Sequence, residues 1–281
     1  MVAQKTVLIT GCSDGGIGSA LSKAFQARGF HVFATGRSKQ RLAHLEALKD
    51  VTLLELDVTS SASIDTAYEA VKHQTGGQLD YLVNNAGVMS IMPSLDIDIR
   101  QAKELFDTNF WGVLAMVQKF SPLLISAKGC ITNICSISGF INVPFESVYG
   151  ASKAALLRYS ETLRLELAPF HVRVLSVVTG PVATNLGSPG KNHRLPCKSL
   201  YSAASKEIKE RAMAEGYNKM EAHVYADQLV KDMVNGSEGQ IWRGATASRV
   251  RVARHLSPNI VDNLVSKGTG LDQLHGQAVQ L

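Results

Sequence analysis

Residues 6–35 read TVLITGCSDGGIGSALSKAFQARGFHVFAT. Thr6–Thr10 is a short apolar run rich in β-branched residues and stops at Gly11, the pattern of a buried strand. A glycine-rich turn follows and opens directly onto a helix, and His31–Thr35 is a second strand-like run. Such a turn lets backbone N–H groups approach a pyrophosphate, and the helix N-terminus favours the negative charge. Glycines alone carry little weight; their place between a strand and a helix gives them meaning. The residues that would form this cradle are Gly11, Ser13, Gly16, Ile17 and Gly18.

The stretch after the second strand selects between dinucleotides. An NAD site places an Asp or Glu about 20 residues past the glycines to hold the ribose 2′-hydroxyl. No acid stands there; Gly36-Arg37-Ser38 offers a guanidinium instead. Arginine suits a 2′-phosphate through charge-assisted hydrogen bonds, so the expected cofactor is NADPH/NADP+.

Further along, Leu53–Leu56 reads as a third strand ending at Asp57, Leu79–Val83 as a fourth, Cys130–Cys135 as a fifth and Val172–Val178 as a sixth. Gln240–Arg243 is a candidate last strand. Helices are expected at Ile64–His73, Ile99–Ile125, Ser147–Ala168, Ser199–Glu215, Ala222–Asn235 and Val261–Ser266. Strands alternating with helices predict an α/β chain: a doubly wound Rossmann fold with a parallel sheet and helices on both faces. One domain over residues 1–281 is expected, with the weakly patterned segment at about 185–220 as a substrate lid.

Tyr149 and Lys153 lie four residues apart in the Ser147–Ala168 run, which places both on one helical face. A free tyrosine has a pKa of about 10; a fixed ammonium beside it favours the phenolate and lowers that value. Ser136 stands thirteen residues before Tyr149 at the carboxyl end of the fifth strand, the edge where open α/β sheets bind ligands. Its hydroxyl is placed to meet a carbonyl oxygen, with Ser138 as the competing serine.

A serine followed by Tyr-x-x-x-Lys resembles the short-chain dehydrogenase/reductase family. So does Asn84-Asn85-Ala86-Gly87 at the end of the fourth strand, matching that family's NNAG signature. The resemblance implies that Ser136, Tyr149 and Lys153 are catalytic, and that Asn109, in NFWG, perturbs its helix and joins a proton relay. It further implies cofactor contacts from Asp57, Asn85, Tyr149, Lys153, Val182 and Thr184. Two departures stand out. The glycine turn carries one extra residue near Ser13 and Asp14, and Thr179 replaces the proline usual after the sixth strand, with Pro181 one residue past Gly180. Within the family, TGCSDGGIG, VPFESVYGASKAAL, LELAPFHVRV and IWRGATAS are similar to the fungal 1-acyldihydroxyacetone-phosphate reductase group. In that reading Lys191, His193, Arg194 and Lys198 make the lid cationic enough to receive a phosphate. That group carries an apolar membrane-associating segment near its C-terminus, whereas Arg249, Arg251 and Arg254 interrupt RVRVARHL here. A soluble relative acting on a polyketide or terpenoid carbonyl is therefore the alternative, and a non-catalytic NADPH-binding regulator a remote one.

The bounds from composition agree. The chain has 281 residues, 45% hydrophobic and 19% charged, with a formal net charge of +5. The basic residues are scattered, whereas a nucleic-acid surface needs a concentrated stripe, so no nucleic-acid partner is expected. The expected partner is a small-molecule carbonyl compound, and the family resemblance adds a homo-oligomer. Four cysteines without metal-like spacing read as reduced apolar residues, and no metal is expected. No run of 18 uninterrupted apolar residues occurs, so no transmembrane segment is expected. A cytoplasmic location follows, or a peripheral one on lipid droplet or endoplasmic reticulum.

Overall fold

The computed structural model describes residues 4–185, 194–213 and 218–274. Along the chain come β1 (Thr6–Ile9), α1 (Ile17–Gln26), β2 (His31–Gly36), β3 (Val51–Glu55), α2 (Ser61–Thr75), β4 (Tyr81–Asn84), α3 (Ile99–Phe106) and α4 (Gly112–Ala127). Then follow β5 (Cys130–Ser136), α5 (Ser147–Leu167), β6 (Arg173–Thr179), β7 (Val182–Ala183), α6 (Ser205–Ala212), β8 (Met220–Glu221), α7 (Ala222–Val234), β9 (Gly239–Arg243), α8 (Ala247–Ala253) and α9 (Pro258–Ser266).

Seven strands form one parallel sheet in the order β3-β2-β1-β4-β5-β6-β9. This is the doubly wound Rossmann arrangement expected from the alternation of strands and helices. Successive side chains on a strand face opposite sides, so a sheet covered on both faces needs apolar residues at every position. In β1 that is observed: Leu8 packs with Phe33, Met116, Phe120 and Leu156 on one side. Val7 and Ile9 pack with Leu21, Phe25, Tyr225 and Leu229 on the other. The strand order reverses between β1 and β4, and this opens a crevice at their carboxyl ends.

Two helix expectations are corrected by the structure. The long helix expected over Ile99–Ile125 is three pieces, α3, a π turn (Asp107–Trp111) and α4. The 29-residue stretch Ile99–Ala127 contains an 18-residue window with a mean hydropathy of 1.3 and is long enough to cross a membrane by length and composition. Yet Met116, Phe120 and Leu124 are buried in the sheet core, as in a core helix. The helix expected from Ser199 to Glu215 contracts to α6 behind a 3-10 turn (Ser202–Ala204), and Glu215 lies outside the described residues. Serines compete with the helical ladder by bonding locally. Here Tyr201 N–H donates to Ser199 Oγ (3.0 Å), and Ser202 Oγ donates to the Ser199 carbonyl (2.6 Å).

A separate small core lies around α6. Ile91, Phe145, Ala204, Ile208 and Ala212 pack together with Leu271 and Leu274 from the end of the described chain. The arginine-rich segment is α8: Val250 is buried, and the Arg254 guanidinium lies 5.5 Å from the Trp242 ring centre and 5.6 Å from that of Phe140. That residue covers the edge of the sheet rather than standing free.

Candidate active site

The glycine turn is shaped by contact with the end of β4. Gly11 has φ +73°, and a Cβ there would lie 2.9 Å from Ala86 Cα. At Gly18 a Cβ would lie 2.5 Å from the Gly11 carbonyl oxygen and 2.7 Å from Asn85 Nδ2. That amide donates to the Thr10 and Gly11 carbonyls (2.8 and 3.0 Å), tying the turn to the switch point. The extra residue is absorbed at Gly15, φ +68°, whose carbonyl accepts from Asn185 N–H (3.2 Å), while Asp14 Oδ1 accepts from the Gly15 N–H (2.9 Å). The turn thus keeps its path, and the N-terminus of α1 faces the crevice.

Two adjoining cavities occupy the carboxyl edge of the sheet. The larger, about 960 Å³, is lined by Gly11, Ser13, Gly16, Ile17, Arg37, Asp57, Asn85 and Thr184. Gly18 does not line it; its role is the close approach just described. Asp57 holds its own turn, its Oδ1 accepting from Thr59 N–H and Oγ1–H (2.9 and 2.8 Å). Arg41 and His44 stand in the same wall. They were not singled out from sequence, although Arg41 lies one helical turn after Arg37. His44 Nε2 is 2.7 Å from Ser19 Oγ. A positively charged rim without a ribose-directed acid, over a glycine cradle that admits no Cβ, fits a dinucleotide bearing a 2′-phosphate.

The smaller cavity, about 480 Å³, is lined by Ser136, Tyr149, Lys153, Val182 and Thr184. Glycines bring its floor together. A Cβ at Gly150 would lie 2.8 Å from the Ser138 carbonyl oxygen, so the 3-10 turn after β5 packs against the bare backbone of α5. Ser136 caps that turn, its Oγ accepting from Ser138 N–H (3.1 Å). Lys153 Nζ donates to the Ile134 carbonyl (2.8 Å) and lies 5.9 Å from the Tyr149 ring centre. Burial pushes the Tyr149 hydroxyl far above its ordinary range, and the hydrogen bond with Ser136 is the influence that opposes it. Burial pushes Lys153 down. In place of the lowering of Tyr149 expected from Lys153, burial raises the hydroxyl, and the Lys153 ammonium is directed at the Ile134 carbonyl.

Asn109 lines neither cavity; it sits buried in the π turn beneath them. Its Nδ2 donates to the Val88 carbonyl (2.9 Å) and to Ser152 Oγ (3.1 Å), and its Oδ1 accepts from Val88 N–H (2.8 Å). Ser152 Oγ donates in turn to the Tyr149 carbonyl (2.7 Å). One amide thus joins the loop after β4 to the turn of α5 that carries Tyr149. Ser152 was not foreseen; the Tyr-x-x-Ser-Lys spacing was its only trace in the sequence.

Beyond β6, the Thr179 hydroxyl pairs with the buried Tyr225 hydroxyl (2.7 Å). The Pro181 carbonyl accepts from Met220 and Ala245 N–H groups (both 3.1 Å), which fixes the turn that carries Val182 and Thr184. Of the lid cations expected from sequence, Arg194 and Lys198 line neither cavity, and Lys191 and His193 lie outside the described residues. Among the described residues, the cations in the wall of the smaller cavity besides Lys153 are Arg211, Lys219 and Lys267, and α9 adds Leu264 and Val265. The helix itself was expected at Val261–Ser266, but its packing into this wall had no local signature to read.

Comparison with known proteins follows the geometry. The short chain dehydrogenase family matches residues 5–194. The short-chain dehydrogenase ptmH of Penicillium ochrochloron is 49% identical over 264 residues, covering 94% of this chain and 97% of that protein. An NADPH-dependent 1-acyldihydroxyacetone phosphate reductase of Schizosaccharomyces pombe is 39% identical, covering 91% of each. Among solved structures, a short chain dehydrogenase from Burkholderia cenocepacia in complex with NADP superposes with a TM-score of 0.75 at 27% identity, covering 94% of this chain and 98% of that one. With Ser136, Tyr149 and Lys153 gathered at the carboxyl edge of a doubly wound sheet, the chain belongs to the short-chain dehydrogenase/reductase family.

Proposed function

We propose that the protein is an NADPH-dependent carbonyl reductase, with alcohol oxidation as the reverse reaction. The observation that carries this reading is the Tyr149 hydroxyl, buried against Ser136 in a cavity that adjoins the glycine-lined groove, with Lys153 one turn further along α5. Arg37 and Arg41 would take the 2′-phosphate, and the α1 N-terminus the pyrophosphate. Bound there, NADPH supplies a hydride to the carbonyl carbon. Ser136 orients the carbonyl oxygen, and Tyr149 donates its proton to that oxygen. The high proton affinity that burial imposes keeps Tyr149 protonated near neutral pH, so it is ready as the acid. As the proton leaves, the Lys153 ammonium stabilises the phenolate by direct attraction. Asn109 spends its amide on Val88 and Ser152, so its part is to position the Tyr149 turn.

The apolar wall (Ile91, Ile141, Val143, Val250, Leu264) favours a largely hydrocarbon ketone, such as a polyketide or terpenoid carbonyl. A second reading, reduction of a 1-acyldihydroxyacetone phosphate, is favoured by Arg211, Lys219 and Lys267 in the same wall and by the Schizosaccharomyces relative. NADPH oxidation with that phosphorylated lipid beside plain ketones of similar length separates the two. In both readings Tyr149→Phe abolishes turnover, by at least about 100-fold, while NADPH binding followed by fluorescence persists. Retained turnover would refute the assignment of Tyr149.

A further inference from the structure

Glu146 is a carboxyl in a place where sequence and fold alone give it no work. It is 6% exposed, and acids are rarely buried so far without a purpose that offsets desolvation. It stands at the N-cap of α5, yet its side chain makes no capping bond to the helix N–H groups. Instead it lines the cavity that holds Tyr149, three residues before that tyrosine. Its Oε2 accepts the Ser138 hydroxyl proton (2.8 Å). Burial pushes its carboxyl up, and the hydrogen bond from Ser138 and the charge of Arg211 oppose this. Arg211 reaches the same cavity from α6 of the lid. The wall around it combines aliphatic side chains (Ile91, Ile141, Val143) with cations, and Glu146 is its one carboxyl among the described residues.

We propose that Glu146, charge-balanced by Arg211, is a specificity-determining acceptor that takes the O–H of a hydroxyl group on an otherwise apolar carbonyl substrate. The inference rests on the carbonyl-reductase reading and deepens it: the substrate is a hydroxylated ketone rather than a plain hydrocarbon ketone. A hydroxyl is the group that matches. A carboxyl acceptor rewards a hydrogen-bond donor, and a site built around a buried acceptor penalises an analogue that leaves it unpaired.

The test uses the full chain saturated with NADP+ for calorimetric binding, and with NADPH for turnover. The probes are decalone, its monohydroxylated isomers and the matching methoxy compounds, which keep the bulk but cannot donate. In the natural protein at least one hydroxydecalone should exceed both decalone and its methoxy counterpart by about 10- to 100-fold in affinity and kcat/KM. Glu146→Gln, which keeps the size and one carbonyl acceptor, should shrink that ratio, and Glu146→Met should bring it toward one. If Glu146 serves only to hold Ser138 and Ser136 in place, all probes weaken together and the ratio survives, which overturns the proposal. A ratio near one in the natural protein overturns it without any variant, and turnover of the probes would then leave the reductase reading standing. Selective binding of a hydroxydecalone without turnover supports the Glu146 role and removes the reductase reading. Absence of binding by every decalone overturns the proposal.

Discussion

Replacing Asn109 with alanine tests how the site is held together. The variant deletes three hydrogen bonds: two to the backbone of Val88, at 2.9 and 2.8 Å, and one to Ser152, at 3.1 Å. A typical protein hydrogen bond contributes about 1 kcal/mol net, and a buried partner left unsatisfied costs about 1–3 kcal/mol. Val88 is half-buried, so water can reach part of what is lost, and the lower part of that range applies. Three bonds at about 1 kcal/mol each, with a further 1 kcal/mol or so for the void left by a 1% exposed side chain, sum to about 3–4 kcal/mol. That is a large fraction of the roughly 5–15 kcal/mol by which domains are stable. Urea denaturation, with the midpoint shift converted at unchanged slope, measures it. Ser152→Ala, which removes the bond from Asn109 and the bond to the Tyr149 carbonyl, should cost about 2 kcal/mol. Turnover should fall more steeply than stability, because the displaced Val88 loop lines both cavities. A loss below about 1 kcal/mol in Asn109→Ala would refute the reasoning, since it would mean that the amide does not carry the connection between β4 and α5.

Three further outcomes follow from the same geometry. Gly18→Ala places a methyl carbon 2.5 Å from the Gly11 carbonyl and 2.7 Å from Asn85 Nδ2; it should destabilise the fold by about 1–3 kcal/mol and weaken NADPH binding, and unchanged affinity by fluorescence titration would count against the cradle. Arg37→Gln should lower NADPH affinity by about 10-fold or more while leaving NADH affinity nearly unchanged; equal losses for both would show that Arg37 does not contact the 2′-phosphate. Alkaline pH should destabilise the protein: burial raises Cys12 from 9.0 to about 11 and Cys135 from 9.0 to about 12, so the unfolded chain ionises first. The stability these thiols contribute is complete below pH 9 and is lost as pH rises through 11–12, with about 1.4 kcal/mol gone per thiol by pH 10. Urea midpoints at pH 8 and 10 check this, and equal stabilities would contradict it.

Much of this architecture was legible in the chain because its signals are local. β1, the glycine turn and α1 declare themselves by β-branched burial, glycines and helical continuation within 30 residues, and Tyr149 and Lys153 share a helical face by spacing alone. The break at Asn109 was legible only through the family resemblance. The Asn109 amide reaches Val88 and Ser152, partners 21 and 43 residues away, and no window of sequence contains those bonds. The cations of the cavity wall were not legible for the same reason: Arg211, Lys219 and Lys267 come from separate segments that only the fold brings to one cavity.

The sequence by itself determined the sheet, the cofactor groove and the shared helical face of Tyr149 and Lys153, since periodicity and turn chemistry act between near neighbours. The tertiary structure alone decided that Tyr149 is buried beside Ser136, that Glu146 lines the same cavity, and that α9 adds to its wall. Those properties depend on desolvation and on contacts between segments far apart in the chain, and both arise only when the segments pack.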